Sequence, residues 1–419
     1  MSLKPPPLKN DCFALPPGVD WTPVDAAKAH LQEHLRAVVA VETVPLMQAS
    51  GRVLAQDLVA WRSNPPQANT AVDGYGFAAD STGDGDQLLP LVAGRAAAGA
   101  PLDRAVPAGM AARVLTGAAL PDGVDTVVLD EDCSTDGEKV AFRGPVKPGA
   151  NTRKAGEDVT EGDRFLDAGR RLTPADMALC AAVGFADLPV YAPLRVAVLS
   201  TGDEVIESGH PAGPGQIYDA NRPMLLSMIE RFGFEPVDMG RVPDNRDALR
   251  DRLNDAAGAA DVILTSGGAS AGDEDHVSAL LREAGAMQQW RIALKPGRPL
   301  ALGLWNGVPV FGLPGNPVAA LVCTLVFARP AMGLLSGEGW FEPQGFEVPA
   351  GFAKKKKPGR REYLRARIRN GVVEVFKSEG SGRISGLSWA EGLVELPDGA
   401  AEIEPGITVQ YIPYGSFGL

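Results

Sequence analysis

Four short segments in the second half of the chain combine small, turn-forming residues with charges. Ser200-Thr-Gly-Asp-Glu204 ends in two acids. Thr265-Ser-Gly-Gly-Ala-Ser-Ala-Gly272 is built of small residues, including Gly267, Gly268 and Ser270, and runs into Asp273-Glu-Asp275. Small residues let backbone N–H groups approach an anion, and a helix start behind them adds a favourable dipole. Lys295-Pro-Gly-Arg-Pro299 holds two cations on a proline-stiffened turn. Leu313-Pro-Gly-Asn-Pro317 is a constrained loop that opens a helix. Singly, each is also explained as a cap or a turn. Together they bring an anion-binding backbone, fixed cations and carboxylates to one place. Carboxylates beside a phosphate cradle suit Mg²⁺, which prefers oxygen ligands and substrate phosphates. Neither GxxxxGK[ST] nor GxGxxG occurs, so P-loop and ordinary dinucleotide chemistry lose ground. These residues describe a Mg²⁺-dependent enzyme acting on a phosphorylated or nucleotide-like anion.

A parallel sheet would position the four segments. From Leu194 strands and helices alternate: strands at 195–200, 235–240 and 261–266, helices at 221–232, 244–257 and 274–284, an extended run at 288–294, and two more strands before a helix from Pro317 to about 332. This alternation predicts a doubly wound sheet covered on both faces, with ligands at the carboxyl ends of its strands. The uncharged stretch from Pro299 to Ala328 is long enough to span a bilayer. Its many Pro and Gly residues instead predict two buried strands and a buried helix.

Elsewhere the chain reads differently. Thr22-Pro-Val-Asp25 predicts a helix with Thr22 as N-cap and Pro23 at its first position. That helix carries His30-Leu-Gln-Glu-His34, a zinc-peptidase-like HxxEH pattern. With two other histidines in the chain and no third ligand in view, it reads as an amphipathic helix. Residues 61–148 are β-rich, with strands expected at 87–92, 110–115, 126–129 and 139–143. Thr173-Pro-Ala-Asp176 opens another capped helix. The last 85 or so residues are again β-like. Within them the run 354–369 sets nine bases against one acid: Lys354-Lys-Lys-Lys357, Arg360, Arg361, Arg365, Arg367 and Arg369 against Glu362. This run reads as an anion patch or as a charged edge strand that prevents aggregation.

The whole composition fits a protein of several domains. The chain has 419 residues, 45% hydrophobic, with 52 acids against 40 bases. A net charge of −12 disfavours nucleic acid and acidic membranes as partners. Four scattered cysteines without a CxxC pair favour a reducing compartment over a disulfide scaffold. The Pro-rich, polar first 17 residues lack an apolar signal core, and a cytoplasmic location is expected.

The motifs, in their order along the chain, resemble the molybdopterin molybdenumtransferases, the family of MoeA and the gephyrin E domain. The matching elements are Asp73-Gly-Tyr75, Thr116-Gly-Ala118 with Pro121, Gly123 and Asp125, Gly156-Glu-Asp-Val159, Ser200–Glu204, Gln216–Asn221, Thr265–Asp275, Lys295–Pro299 and Leu313–Pro317. The resemblance implies an α/β multidomain protein: a doubly wound α/β domain of the molybdopterin-binding type at 191–333, a discontinuous helical and extended linker domain at 20–60 plus 149–190, a β-rich insert at 61–148, and a β-barrel-like domain at 334–419. It implies insertion of molybdate into adenylated molybdopterin with release of AMP, and Mg²⁺ as the metal. It also implies a homodimer whose cleft is shared between subunits, with the upstream adenylyltransferase and downstream molybdoenzymes as further partners.

Residue by residue, the resemblance gives Asp73, Asp158, Glu204, Asp244 and Asp275 as the acids of the cleft. Asp244 and Asp275 stand nearest the metal, with Asp203 and Asp273 as neighbours. It gives Lys295, Arg298, Arg291 and Arg365 as cations for molybdate, with Ser381 or Ser385 on a Ser-rich turn. Clustered guanidiniums suit oxyanions, which favours the anion-patch reading of the basic run. Thr116, Gly267, Gly268 and Ser270 join the substrate loops, while Pro314, Gly315, Asn316 and Pro317 form a rigid one. Three positions depart from the family pattern. Arg298 stands where Lys is usual, Val72 replaces Met, and Gly76 replaces Ala. A related ATP-dependent molybdopterin adenylyltransferase and a non-catalytic molybdopterin-binding scaffold are the alternatives.

Overall fold

The computed structural model describes residues 21–267, 276–284, 287–297 and 299–419. It divides into two compact units, residues 43–190 and residues 1–42 with 191–419.

The first unit carries a six-stranded sheet in the order β4-β1-β3-β2-β6-β5. The strands are β1 (Gly74–Phe77), β2 (Gly85–Ala96), β3 (Ala111–Val114), β4 (Thr126–Leu129), β5 (Ser134–Thr135) and β6 (Lys139–Gly144). Tyr75, Phe77, Leu89, Val128 and Phe142 form a core of this sheet. A separate core joins Leu54, Leu58 and Ala60 to Leu166, Leu172, Cys180, Phe185 and Leu188. The chain between these two groups leaves and returns. The helix Pro174–Ala182 starts as its sequence predicts, with a reciprocal cap between Thr173 and Asp176 and Pro174 in its first turn.

In the second unit the central sheet runs β8-β7-β9-β13-β12-β10. Its strands are β7 (Arg195–Thr201), β8 (Glu235–Val242), β9 (Val262–Ser266), β10 (Met287–Arg291), β12 (Pro299–Trp305) and β13 (Val308–Leu313). β8, β7, β9 and β13 are parallel, as the alternating pattern predicts. β12 and β10 add an antiparallel edge. That edge follows from Asn306-Gly307, both with positive φ (50° and 83°), a two-residue turn that returns the chain directly. Parallel neighbours would need a long crossover, which the two residues between β12 and β13 cannot supply.

Two apolar clusters cover the sheet's faces. One joins Val196, Val198 and Leu264 to Leu225, Ile229 and the helical segment 320–335. The other joins Leu199 and Ile263 to Leu249, Leu253, Val277 and Leu281. The helix Val24–His34, grouped in sequence with 20–60, belongs instead to this unit, because its stripe Val24, Ala27 and Leu31 completes the first cluster. It starts one turn position later than predicted: Thr22 makes no cap and instead bridges to Ile292. Pro317–Leu335 is apolar and long enough to cross a membrane, but 94% of its window is buried, as a core helix is. A short π-helical stretch, Thr324–Ala328, precedes Pro330, whose missing N–H relaxes the ordinary ladder there.

The C-terminal residues form a further sheet, ordered β11-β16-β18-β20-β14, around Leu364, Val373, Val394 and Tyr411. Its strands are β11 (Leu294–Lys295), β14 (Phe346–Pro349), β16 (Arg361–Arg369), β18 (Gly392–Leu396) and β20 (Thr408–Pro413). β15 (Lys354–Lys356) pairs with β19 (Ala401–Ile403), and β17 (Val372–Val375) pairs with β16. β11 comes from the α/β region and runs parallel to β16, so Lys295 lies opposite Glu362.

Candidate active site

The acids of the second unit line the carboxyl ends of β7 and β8. Asp203 and Asp244 hold each other through the main chain. The Asp203 N–H donates to Asp244 Oδ2 at 3.2 Å, and the Asp244 N–H donates to Asp203 Oδ1 at 3.0 Å. The helix expected from Asp244 begins at Arg246, because Asn245 is the N-cap and accepts from the N–H groups of Asp247 and Ala248. Asp244 is thereby left in the loop, facing Asp203 rather than capping. Gly202 has φ +133°, and a Cβ there would meet the Glu204 carboxylate at 2.5 Å. A glycine is required for Glu204 to fold back over this turn.

The next two loops lie alongside. A Cβ on Gly267 would strike Thr201 Oγ1 at 2.8 Å, so the exits of β7 and β9 run in close contact. The Gly267 N–H donates to the Leu313 carbonyl at 3.2 Å. Buried Asn221 ties the same place from below, with its Nδ2 donating to Ser266 Oγ and to the Gly315 carbonyl, each at 2.7 Å. Gly268, Ser270, Asp273, Asp275 and Arg298 lie outside the described residues, as does the side chain of Arg291.

Cations gather where β11 meets the C-terminal sheet. The Lys295 ammonium lies 2.5 Å from Glu379 and 3.5 Å from buried Glu362. Lys354 lies 3.2 Å from Glu362 and also pairs with Glu379. Burial works against both Lys354 and Glu379, but their pairing prevails. It holds Lys354 above the ordinary lysine range and Glu379 below the ordinary glutamate range. A cavity of about 200 Å³ opens here, lined by Lys295, Lys354, Arg365, Phe376, Lys377 and Glu379 among others.

Arg365 is buried beside this cavity, and its donors are directed to the backbone. Nη1 donates to the Arg383 carbonyl at 2.7 Å, and Nη2 to those of Ser378 and Gly380. The guanidinium also sits over Phe376, and a Cβ on Gly386 would collide with it at 2.6 Å. Arg365 therefore holds the 378–383 turn. The Ser381 carbonyl on that turn accepts from the Val318 N–H at 3.1 Å. Asn316 lies near Gly382, Pro317 and Val318 form the first turn of the next helix, and Pro314 and Gly315 lead into it. Exposed Ser385 opens the short helix that follows the turn, Ser385–Trp389. The structure thus brings Gly267, Gly315, Asn316, Pro317, Ser381 and Lys295 into one neighbourhood.

The rest of the basic run is largely occupied. Lys356 is buried and donates to the carbonyls of Lys357 and Gly399. Arg361 pairs with Asp25 and Asp398, Arg367 with Glu374, and Arg369 with Glu391. Acids remote in sequence neutralise what a window of neighbours shows as nine bases and one acid. Glu379 and the cavity role of Lys354 were missed in the sequence. The signal for Glu379 was a lone acid at the start of the glycine-rich turn, Glu379-Gly-Ser-Gly382.

In the unit 43–190, Asp73 accepts from the Thr116 N–H at 2.7 Å and from Thr116 Oγ1 at 2.6 Å. Those two bonds hold its carboxyl below the usual range. Asp158 Oδ2 accepts from Asn64 Nδ2 at 3.0 Å. Among the described residues no cluster of three or more His, Cys, Asp or Glu has the form of a metal site. His30 and His34 stack on each other 4.0 Å apart, and His34 Nδ1 contacts the His30 carbonyl at 2.8 Å, as on a helix face.

A mixed α/β domain with glycine-bearing loops at its strand ends, joined to a C-terminal sheet that shares its lysine, defines a multidomain α/β protein with a candidate anion site at that junction. Residues 22–184 match the family described as MoeA N-terminal region (domain I and II). Residues 197–333 match Probable molybdopterin binding domain, and 347–414 match MoeA C-terminal region (domain IV). The chain is 35% identical to the molybdopterin molybdenumtransferase of Haemophilus influenzae, covering 93% of this chain and 98% of that protein. It is 34% identical to molybdopterin molybdenumtransferase 2 of Mycobacterium tuberculosis, covering 91% and 98%. A crystal structure of the molybdopterin biosynthesis moeA protein from Pyrococcus horikoshii superposes with a TM-score of 0.82 at 28% identity, covering 94% and 100%. The chain belongs to the molybdopterin molybdenumtransferase family, and is a transferase of molybdenum cofactor biosynthesis.

Proposed function

We propose that this transferase inserts molybdate into adenylated molybdopterin and releases AMP, working with Mg²⁺. The observation that carries the reading is the shared strand pairing of β11 and β16. It sets Lys295 in a cation-lined cavity, next to the 313–317 loop and the 378–383 turn. A compact dianion needs fixed cations, and a charge-assisted hydrogen bond is stronger than a neutral one. Lys295 and Arg298 are assigned to the oxyanion, with Arg291 close in sequence, and Arg365 supports the turn that closes over it. The backbone at Gly267, Gly268 and Ser270 and the Gly315–Pro317 loop are assigned to the pterin nucleotide.

The oxygen donors at the ends of β7 and β8 fit Mg²⁺. In the Asp203–Asp244 pair each carboxylate uses one oxygen on a main-chain N–H, and among the described residues the other has no partner. Asp244 would hold the ion together with Asp275, Asp203 and Asp273 would support them, and the bound ion would draw charge from the phosphoanhydride. Glu204, Asp73 and Asp158 are assigned to the reacting end of the substrate, Asp73 oriented by Thr116. The family regions along most of the chain disfavour the ATP-dependent adenylyltransferase and the pure scaffold.

We assign a cytoplasmic homodimer with the cleft shared between subunits, receiving substrate from the upstream adenylyltransferase and passing cofactor to molybdoenzymes. Incubation with adenylated molybdopterin, molybdate and Mg²⁺ should release AMP without ATP. Release only when ATP is supplied would overturn the reading. A mixed dimer of Asp73→Ala and Asp275→Ala subunits should regain activity if the cleft is shared; no recovery would place both residues in one subunit's site.

A further inference from the structure

The cation cavity already contains an anion. Lys295 and Lys354 come from different strands, yet their ammonium groups share the same two carboxylates. Those carboxylates are not equivalent. Glu362 lies on β16 with its side chain 8% exposed, fixed between the lysines inside the sheet. Glu379 lies on the turn after β17 with its side chain 48% exposed, and reaches both ammonium groups from the solvent side. Two lysines against Glu362 alone leave one surplus positive charge facing the cavity. With Glu379 in place the group is neutral.

We propose that Glu379 is a displaceable intramolecular anion occupying the oxyanion seat between Lys295 and Lys354, and that Lys354 is a second cation of that seat. This rests on the molybdate reading above and adds its regulation. A dianion entering between the lysines replaces one carboxylate. The half-exposed Glu379 side chain can swing outward while Arg365 holds the backbone of its turn and Glu362 keeps the lysines in place. No bond is made or broken; the exchange is of one anion for another. An empty seat thus never leaves two largely buried ammonium groups to share the single charge of Glu362, an arrangement in which their mutual repulsion would be only partly offset. The exchange also raises selectivity: a weakly charged anion gains little by displacing Glu379, whereas a dianion gains more.

The test is equilibrium dialysis of molybdate against the full-length protein, wild type and the variants Glu379→Gln, Lys354→Met and Lys295→Ala, with thermal unfolding followed to confirm folding. Glutamine keeps the size of Glu379 and removes its charge. E379Q should bind molybdate about tenfold more tightly, and K354M about tenfold more weakly. Unchanged affinity in E379Q, or in K354M, with K295A weakened overturns the inference while the molybdate reading stands. Unchanged affinity in all three variants, or no binding by any form including wild type, overturns both. If K354M unfolds, Lys354→Arg is the alternative: it keeps the charge and should retain affinity within a few-fold.

Discussion

Two edges of the second unit handle charge in opposite ways. At the ends of β7 and β8, Asp203 and Asp244 are held by main-chain N–H groups, and Glu204 folds over a glycine. Among the described residues no lysine or arginine forms an ion pair with these three acids. Where β11 meets β16, Lys295 and Lys354 both face carboxylates, Glu362 and Glu379. The first edge keeps its negative charge, which on the proposed function is available to a metal. At the second, Lys295 and Lys354 are already paired, so on that reading an incoming anion competes with a carboxylate. Backbone donors fix an acid without cancelling it, whereas ion pairs fix a lysine by cancelling it. On the proposed function, a site for both a metal and a dianion would use each method where repulsion would otherwise be worst.

Removing a cation should have the largest effect. Lys295→Ala should raise the molybdate concentration needed for half-maximal AMP release by about ten- to a hundredfold. Binding of the pterin nucleotide should fall much less, because backbone loops hold that end. Equal losses in both would show that Lys295 serves the nucleotide. Next is Asp244→Asn, which should raise the Mg²⁺ requirement by about tenfold. Asparagine still accepts the Asp203 N–H, so thermal stability should change by less than about 1 kcal/mol. An unchanged Mg²⁺ titration would remove Asp244 from the metal and dissolve the contrast between the edges.

A smaller effect concerns pH. Pairing holds Glu379 below the ordinary glutamate range of about 4.3, so its charge persists through neutrality. The stability it contributes is present above that range and is lost as pH falls through its folded value. The affinity gain of Glu379→Gln should therefore be flat between about pH 6 and pH 8 and shrink only in acid, as wild-type Glu379 itself protonates. A gain that disappears near neutrality would mean that Glu379 is not the group being displaced.

What the sequence disclosed follows the range of the interactions. Strand and helix placement in 195–335 was legible because buried strands and amphipathic helices repeat over several residues, and 126–129 is a strand at both ends as read. The Thr173 cap was legible because all its partners lie within four residues. The antiparallel edge was signalled by Asn306-Gly307, though the uniform alternation around it suggested an all-parallel sheet. The basic run was misleading in isolation, since Asp25, Glu374, Glu391 and Asp398 reach it only through the fold. Glu379 and Lys354 were not legible as a pair, because their meeting depends on the strand that lends Lys295 to another sheet.

The smallest effect lies in the other unit, and tests whether Asp176 is structural where Asp203 and Asp244 are assigned to chemistry. Asp176 resembles Asp203 in being held by a main-chain N–H, here that of Thr173 at 2.8 Å. Unlike Asp203 it also has a cation, Arg170, with Nε at 3.0 Å. Burial disfavours its charge, yet Arg170 and Thr173 prevail and hold it below the ordinary aspartate range. Its contribution is present above the unfolded value of about 3.9 and is lost as pH falls through the folded one. Thr173→Ala removes the acceptor of the Asp176 N–H and the hydroxyl that donates back. The cost should be about 1 kcal/mol at neutral pH, the usual worth of such a cap. Because part of that cost is the hydroxyl's bond to an ionised carboxylate, the difference from wild type should narrow in acid. AMP release at neutral pH should be unchanged, since nothing at this cap enters the proposed chemistry. Urea unfolding of both forms at neutral and acid pH, with AMP release alongside, gives the comparison. A loss of turnover without a loss of stability would show that Asp176 belongs with Asp73 and Asp158 rather than with the scaffold.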